Sequence, residues 1–213
     1  MGTPTHVIWV YDVLSPFAYL SLPRLPEFSA RVTLEARPVL LGALLDHFGQ
    51  RGPAEISAKR RFTYRFALWR ARQLKVPMRF PPSHPFNPLA ALRLIIAAGS
   101  TVKAAETTLN AVFRDGRDLS DPKVIEELAG ELGVADPQAK LADPAVKSRL
   151  RENTDWAIAH GVFGVPTLVI GEEIFWGHDA IDMALDYLRD PEGFRDAQMR
   201  AIEALPIGIE RRR

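Results

Sequence analysis

The chain has 213 residues, 47% of them hydrophobic and 25% charged, with a formal net charge of +1 and no cysteine. That composition describes an ordinary globular protein, long enough for one large domain or a domain carrying an insertion, and near-neutral charge argues against a nucleic-acid partner. The lack of cysteine excludes disulfides, thiolate metal sites and cysteine catalysis, so any sulfur chemistry has to arrive on a ligand.

In chain order, "THVIWVYDVL" (residues 5–14) is rich in β-branched and aromatic residues and predicts a buried strand. A helix from about Pro16 follows, then "RVTLEARPVL" as a second strand, which makes a βαβ unit with parallel pairing. From about Leu44 to His160 alternation gives way to amphipathic segments such as "AALRLIIAA" and "VKAAETTLNAVF". Asn87-Pro88, Asp121-Pro122 and Asp143-Pro144 each set a capping side chain before a proline suited to the first helical position. Gly99, Gly116, Gly133 and Gly161 stand where helices should stop. Strand character returns in "PTLVIG" and "EEIFWG", an antiparallel hairpin, and "DAIDMALDYLRD" is the last helix. The order βαβ, helices, ββα predicts an α/β fold: a thioredoxin-like domain (residues 1–45 and 160–213) with a large all-helical insertion (46–159). The terminal "ERRR" is expected to be a solvated tail.

No apolar run nears the ~20 residues of a membrane span, so no membrane partner is expected. "MGTPTH" lacks the charged and apolar regions of a signal peptide, and the expected location is the cytoplasm. The five histidines show no metal-ligand spacing, and no glycine-rich phosphate loop is present.

Two short stretches carry the chemistry. Ser15-Pro16, at the junction of the first strand and helix, reads as capping grammar: Ser15 accepts from the first turn, a contact worth about 1 kcal/mol. Val165-Pro166-Thr167 stands directly before an apolar strand, where proline either opens an edge strand in trans geometry or forms a tight bend with a cis peptide bond.

Taken together, "DVLSPFAYL", "GPAEISAKRRF", "VPMRFPPSHPFN", "GVFGVPT" and "FWGHDAID" resemble the bacterial 2-hydroxychromene-2-carboxylate isomerases. These are similar to kappa-class glutathione transferases and, more distantly, to DsbA-like disulfide oxidoreductases. Where the oxidoreductases have Cys-x-x-Cys, this chain has Ser15-Pro16-Phe17-Ala18. The resemblance implies a glutathione site in which Ser15, the catalytic residue, hydrogen-bonds the glutathione sulfur at the start of the Pro16 helix. That bond, worth ~1.5–3 kcal/mol, adds to a helix-dipole effect of ~0.3–1 kcal/mol. At ~1.36 kcal/mol per unit, a thiol pKa of ~8.5 would fall by one to two units.

By the same resemblance Val165, before Pro166, pairs its backbone with the cysteinyl unit. Trp176, Gly177, His178 and Asp179 meet the γ-glutamyl end, with Asp179 facing its ammonium. Lys59 lies toward the glycyl end or a substrate carboxylate, although a Lys-Arg-Arg run also suits a solvated helix face. Gln50, His84 and Asn87 are implied toward a small aromatic substrate. The chain departs from the family at Gln50, where the kappa-like pattern has asparagine, and at His178-Asp179, where isomerases commonly have Asn-Asp. It also departs at Leu45 and Glu55-Ile56, near a family lysine and Asn-Arg pair.

The expected function is a glutathione-dependent isomerase of the 2-hydroxychromene-2-carboxylate type, acting as a homodimer in aromatic degradation. The alternatives are a kappa-like transferase or peroxidase, and a cysteine-free thioredoxin-fold protein that binds peptides at Val165-Pro166.

Overall fold

The computed structural model describes residues 5–28 and 32–209; the first four residues and the terminal "ERRR" lie outside that range. Four strands form one sheet: β1 (Thr5–Tyr11), β2 (Val32–Pro38), β3 (Thr167–Ile170) and β4 (Glu173–Trp176). Their order is β2-β1-β3-β4. β1 and β2 are parallel, as a βαβ unit requires, while β3 runs antiparallel to both β1 and β4. "PTLVIG" therefore shares a sheet with "HVIWVYDV", with Val7 opposite Ile170 and Val10 opposite Thr167.

The first strand explains why its sequence reads as a continuous apolar run. Val7, Trp9 and Tyr11 point into one core cluster, and Ile8 and Val10 into another on the opposite face. Successive strand residues alternate sides, so a strand covered on both faces has no polar side to show. Helices α1 (Pro16–Ser21) and α2 (Leu41–His47) flank the two faces. The insertion continues with α3 (Ser57–Gln73), α4 (Leu89–Ala97), α5 (Val102–Phe113), α6 (Pro122–Glu131), α7 (Pro137–Ala142) and α8 (Pro144–Ala159). The larger cluster joins Trp9 and Tyr11 to Leu92 of α4, Leu109 of α5 and Leu128 of α6, so one core spans sheet and insertion. The smaller sets Val10 and Val169 against Leu44 of α2 and Ala157 of α8. Each fully buried side chain of this size contributes ~1.5–3 kcal/mol.

After the hairpin comes α9 (Ile181–Arg189), whose Ala184 packs into the larger cluster. A further helix, α10 (Ala197–Glu203), follows, so "DAIDMALDYLRD" is not the last. The helical region opens at Leu41, three residues before the expected Leu44. Asp121 and Asp143 cap α6 and α8 as their sequences predict, accepting from Lys123 and Ala145 N–H groups. Asn87-Pro88 is displaced by one: Pro88 is itself the cap residue of α4, and Asn87 Oδ1 reaches past it to the Leu89 N–H at 3.1 Å. No helix among the described residues is long and apolar enough to cross a membrane.

Candidate active site

The site begins with a turn at the end of β1. Asp12 is fully buried, and its carboxylate accepts from the Leu14 N–H at 3.0 Å and from the Leu41 N–H at 2.8 Å. Burial pushes this carboxyl up to about 6, against the lowering effect of the Leu41, Leu14 and Val13 N–H groups. The Ser15 N–H closes the turn by donating to the Asp12 carbonyl at 3.0 Å. Ser15 thereby stands at the start of α1, 5% exposed.

Its hydroxyl has two partners. Oγ accepts from the Ala18 N–H at 3.2 Å, the cap expected of Ser-Pro, and donates to the Val165 carbonyl at 3.3 Å. The Val165–Pro166 peptide bond is cis and opens β3, which brings residues 150 positions apart in sequence into contact. The Gly177 N–H donates to the Pro166 carbonyl at 2.8 Å, tying the end of β4 to the same loop.

Val165 and Pro166 of this loop line a cleft of about 260 Å³ together with Phe17, Phe66 and the run Trp176 to Asp179. Gly177 has φ +103°, a backbone that side chains rarely adopt, and a Cβ there would strike the Asp179 carboxylate. Trp176 is half-exposed and packs its ring on Phe163 with centroids 5.1 Å apart. His178 is buried and stacks on Phe17 at 5.2 Å. Arg70 Nε donates to its Nε2 at 3.2 Å, so the ring proton sits on Nδ1, 3.9 Å from the Asp179 carboxylate. Burial holds the His178 pKa below the ordinary histidine value; Asp179 opposes this, while Arg70 and Arg24 add to it. The ring is neutral at pH 7. Asp179 is exposed at the rim.

The other expected site residues lie elsewhere. Lys59 is on the exposed part of α3, two turns or ~10 Å from Phe66, which is the residue α3 contributes to the cleft. Gln50 is exposed beyond α2, its N–H bonded to the Leu45 carbonyl at 2.8 Å. Asn87 lies on the surface, its Oδ1 accepting from the Leu89 N–H at the start of α4. His84 lies beneath the site: Nε2 is 2.9 Å from the Leu14 carbonyl and Nδ1 is 2.6 Å from Tyr64 Oη. A carbonyl can only accept, so Nε2 carries the proton and Nδ1 accepts from the tyrosine. Burial keeps His84 below the usual histidine pKa, with the Leu14 carbonyl opposing.

Four residues of this arrangement have no reading in the sequence above: Asp12, Tyr64, Phe66 and Arg70. Asp12 alone had a signal, a charge at the end of a run buried on both faces. Tyr64, Phe66 and Arg70 are hidden in the cationic helix "SAKRRFTYRFALWRARQ".

A family model for the DSBA-like thioredoxin domain matches residues 6–189. The 2-hydroxychromene-2-carboxylate isomerase of Pseudomonas putida is 30% identical over 190 residues, which cover 83% of this chain and 91% of that protein. Glutathione S-transferase kappa 1 of Homo sapiens is 27% identical over 183 residues, covering 78% and 81%. The solved structure of a selenomethionine 2-hydroxychromene-2-carboxylate isomerase shares the fold, with a TM-score of 0.78 at 23% identity over 91% of this chain and 98% of its own. The family match runs from β1 to the end of α9 and so takes in the whole sheet and the inserted helices. The chain belongs to the DSBA-like thioredoxin family, in the group that includes the 2-hydroxychromene-2-carboxylate isomerases and the kappa-class glutathione transferases.

Proposed function

We propose that this protein is a glutathione-dependent isomerase of the 2-hydroxychromene-2-carboxylate type, acting on a small aromatic substrate. The observation that carries the reading is the Ser15 hydroxyl, bonded at 3.3 Å to the carbonyl of Val165, a residue that lines the cleft together with Trp176 to Asp179. The donor set suits the tripeptide. Ser15 offers a hydroxyl, Asp179 an exposed carboxylate for an ammonium group, and Phe17, Phe66 and Trp176 supply rings that exclude water. Bound glutathione supplies a thiolate that can add reversibly to a conjugated carbonyl system, making a double bond rotatable.

The protein's part is to hold that sulfur as an anion. A hydroxyl has one proton, and at 3.3 Å the bond to Val165 is longer than the usual hydroxyl–carbonyl distance and therefore weak. Turning the proton to an anionic sulfur exchanges a weak neutral bond for a charge-assisted one of ~1.5–3 kcal/mol. That amounts to about one to two pKa units. The dipole of α1 adds little, because this helix is six residues long and passes directly into a 3-10 turn. His178 orders the rim: neutral and stacked on Phe17, it directs Nδ1–H toward Asp179.

A kappa-like transferase is the second reading, favoured by a human kappa-class relative almost as similar as the isomerase. Calorimetric titration with glutathione tests the cleft, and Asp179→Asn should weaken binding by about three- to tenfold through loss of the ammonium contact. Thiol titration during turnover with a benzylidenepyruvate separates the two enzymes. An isomerase leaves glutathione unchanged and a transferase consumes it. Absence of glutathione binding to the wild-type chain refutes both.

A further inference from the structure

The outer edge of β2 is open. The Val39 N–H donates to the Tyr11 carbonyl at 2.9 Å, and backbone groups alternate in direction along a strand, so those of residues 33, 35 and 37 turn toward β1. Those of Leu34, Ala36 and Pro38 turn away from it. The Pro38 carbonyl is taken by Asn153 Nδ2 of α8 at 3.1 Å. Among the described residues nothing bonds the outward N–H and carbonyl groups of Leu34 and Ala36, although Ala36 is a buried residue. Buried backbone groups are almost always paired, so this edge lacks a partner. Ala36 lines a groove of about 570 Å³ with Ile96 of α4 and with Ala145, Val146 and Arg149 of α8. A second sheet brought edge-on would carry its own flanking helices against α4 and α8, whereas a bare extended segment brings none.

The chain itself has such a segment. After α10, residues 205–209, "LPIGI", belong to no helix or strand, and Leu205, Ile207 and Ile209 are each at least 73% exposed. Alternate residues of an extended chain share a face, so the three aliphatic side chains line one side and Pro206 and Gly208 the other. Backbone groups alternate in the same way. Pairing through residues 205, 207 and 209 turns Pro206, which has no N–H to offer, toward solvent, where an edge strand tolerates proline. Run antiparallel to β2, Ile207 lies opposite Ala36 and Ile209 opposite Leu34, and each pair exchanges two backbone bonds. Their side chains then fall on the face of Leu34, Ala36 and Ile96, which pack into the larger core cluster. The small Pro206 and Gly208 fall on the other face, beside the Glu35–Arg37 ion pair.

We infer that the β2 edge is the docking site for the C-terminal segment of a second copy, exchanged between molecules as an arm. The segment cannot serve its own groove. α10 packs on the turn Pro191–Arg195, whose Phe194 lies against Phe175 of β4. β4 and β2 are opposite edges of the sheet, three strand spacings or ~14 Å apart. Five residues committed to pairing leave none to cross that distance. A second copy supplies the arm, and two reciprocal exchanges close a dimer. Because β2 is the edge away from Trp176, the exchange leaves the cleft open.

The test is sedimentation equilibrium of the full-length chain beside two variants. One ends at Ala204 and lacks the arm; the other, Ala145→Trp, fills the groove from an exposed position on α8. The full-length chain should self-associate, and each variant should do so at least about tenfold more weakly, with its melting temperature in dilute solution unchanged. An equal mixture of the two variants should associate more strongly than either alone, because one keeps an intact groove and the other an intact arm. The chain has no cysteine, so the contact can also be trapped. Ala36→Cys and Ile207→Cys chains, mixed and oxidised, should link to each other faster than either links to itself. A full-length chain that stays monomeric up to about 1 mM overturns the exchange. So does association that survives removal of the arm, which places the contact on another face. Failure of the mixed cysteine chains to link overturns it as well.

Discussion

Replacing Ser15 by alanine removes an acceptor and a donor at once, and the structure assigns each a separate consequence. The acceptor bond, from the Ala18 N–H, is a helix cap worth about 1 kcal/mol. Loss of the donor leaves the Val165 carbonyl without the Ser15 hydroxyl, for another ~1 kcal/mol. For a chain of this length about 2 kcal/mol lowers the melting temperature by roughly 4–8 °C. In the proposed reaction the same hydroxyl also holds a thiolate, and its removal should lower kcat/KM about ten- to a hundredfold at pH 7. The two effects differ in their response to pH. Below the thiol pKa of the variant complex, wild-type enzyme holds more thiolate and the deficit is full. As pH rises through ~8.5, solution chemistry ionises the thiol and the deficit should shrink. A pH–rate profile from 6.5 to 9.5 and a thermal melt on the same preparation measure both. Unchanged kcat/KM per folded molecule at every pH, with the melting temperature lowered, would falsify the activating role and leave Ser15 a cap.

Asp12 should make the fold pH-sensitive in an identifiable direction. Its carboxyl rises from the ordinary 3.8 to about 6 on folding, so the folded chain holds this proton more tightly than the unfolded one. The associated stability, ~3 kcal/mol, is present below pH 3.8 and is lost as pH rises to about 6. Urea unfolding of Asp12→Asn should lack this loss, and parallel pH dependence in variant and wild type would count against it. His84→Ala should cost about 1–3 kcal/mol by leaving the Leu14 carbonyl unpaired, while the Tyr64 hydroxyl keeps its bond to the backbone carbonyl of residue 84; Tyr64→Phe should cost only ~1 kcal/mol. Because the brace ends on the residue before Ser15, both should also lower kcat more than they raise KM for glutathione. Equal denaturation midpoints for the two variants would contradict the order of costs.

What the sequence made legible is what local rules govern. "VIWVY" announced a strand covered on both faces because five consecutive residues with no polar member leave no side for water. Asp121-Pro122 and Asp143-Pro144 marked helix starts because cap and proline act within two residues of each other. Asn87-Pro88 used the same grammar yet missed by one, since Pro88 took an α-region cap conformation and the helix began at Leu89. α10 passed unnoticed because seven mostly exposed residues leave no apolar stripe to read. At the site, Ser15 and Val165-Pro166 stood out through proline. Asp12 did not, because its partner Leu41 N–H is 29 residues away and only the βαβ crossover brings it near. The run "AKRRF" read equally well as a solvated face, and no local rule separates Lys59, which stays in water, from Phe66, which turns into the cleft.

The double burial of β1 bears on how the molecule breathes. Its residues are shared between both core clusters, so exposing the amides of Val7 to Tyr11 requires separating α4 and α5 from one face and α2 and α8 from the other. Such a segment exchanges its amide hydrogens only when the whole chain unfolds. The turn bearing Asp12 and Ser15 is anchored directly to that strand, while Trp176 and Asp179 stand in solvent on the opposite lip. The cleft therefore has a fixed floor and an adjustable rim. In the proposed complex a ligand would be admitted or released by movement at the edge, while Ser15, bonded to Val165 of the cleft wall, keeps its position.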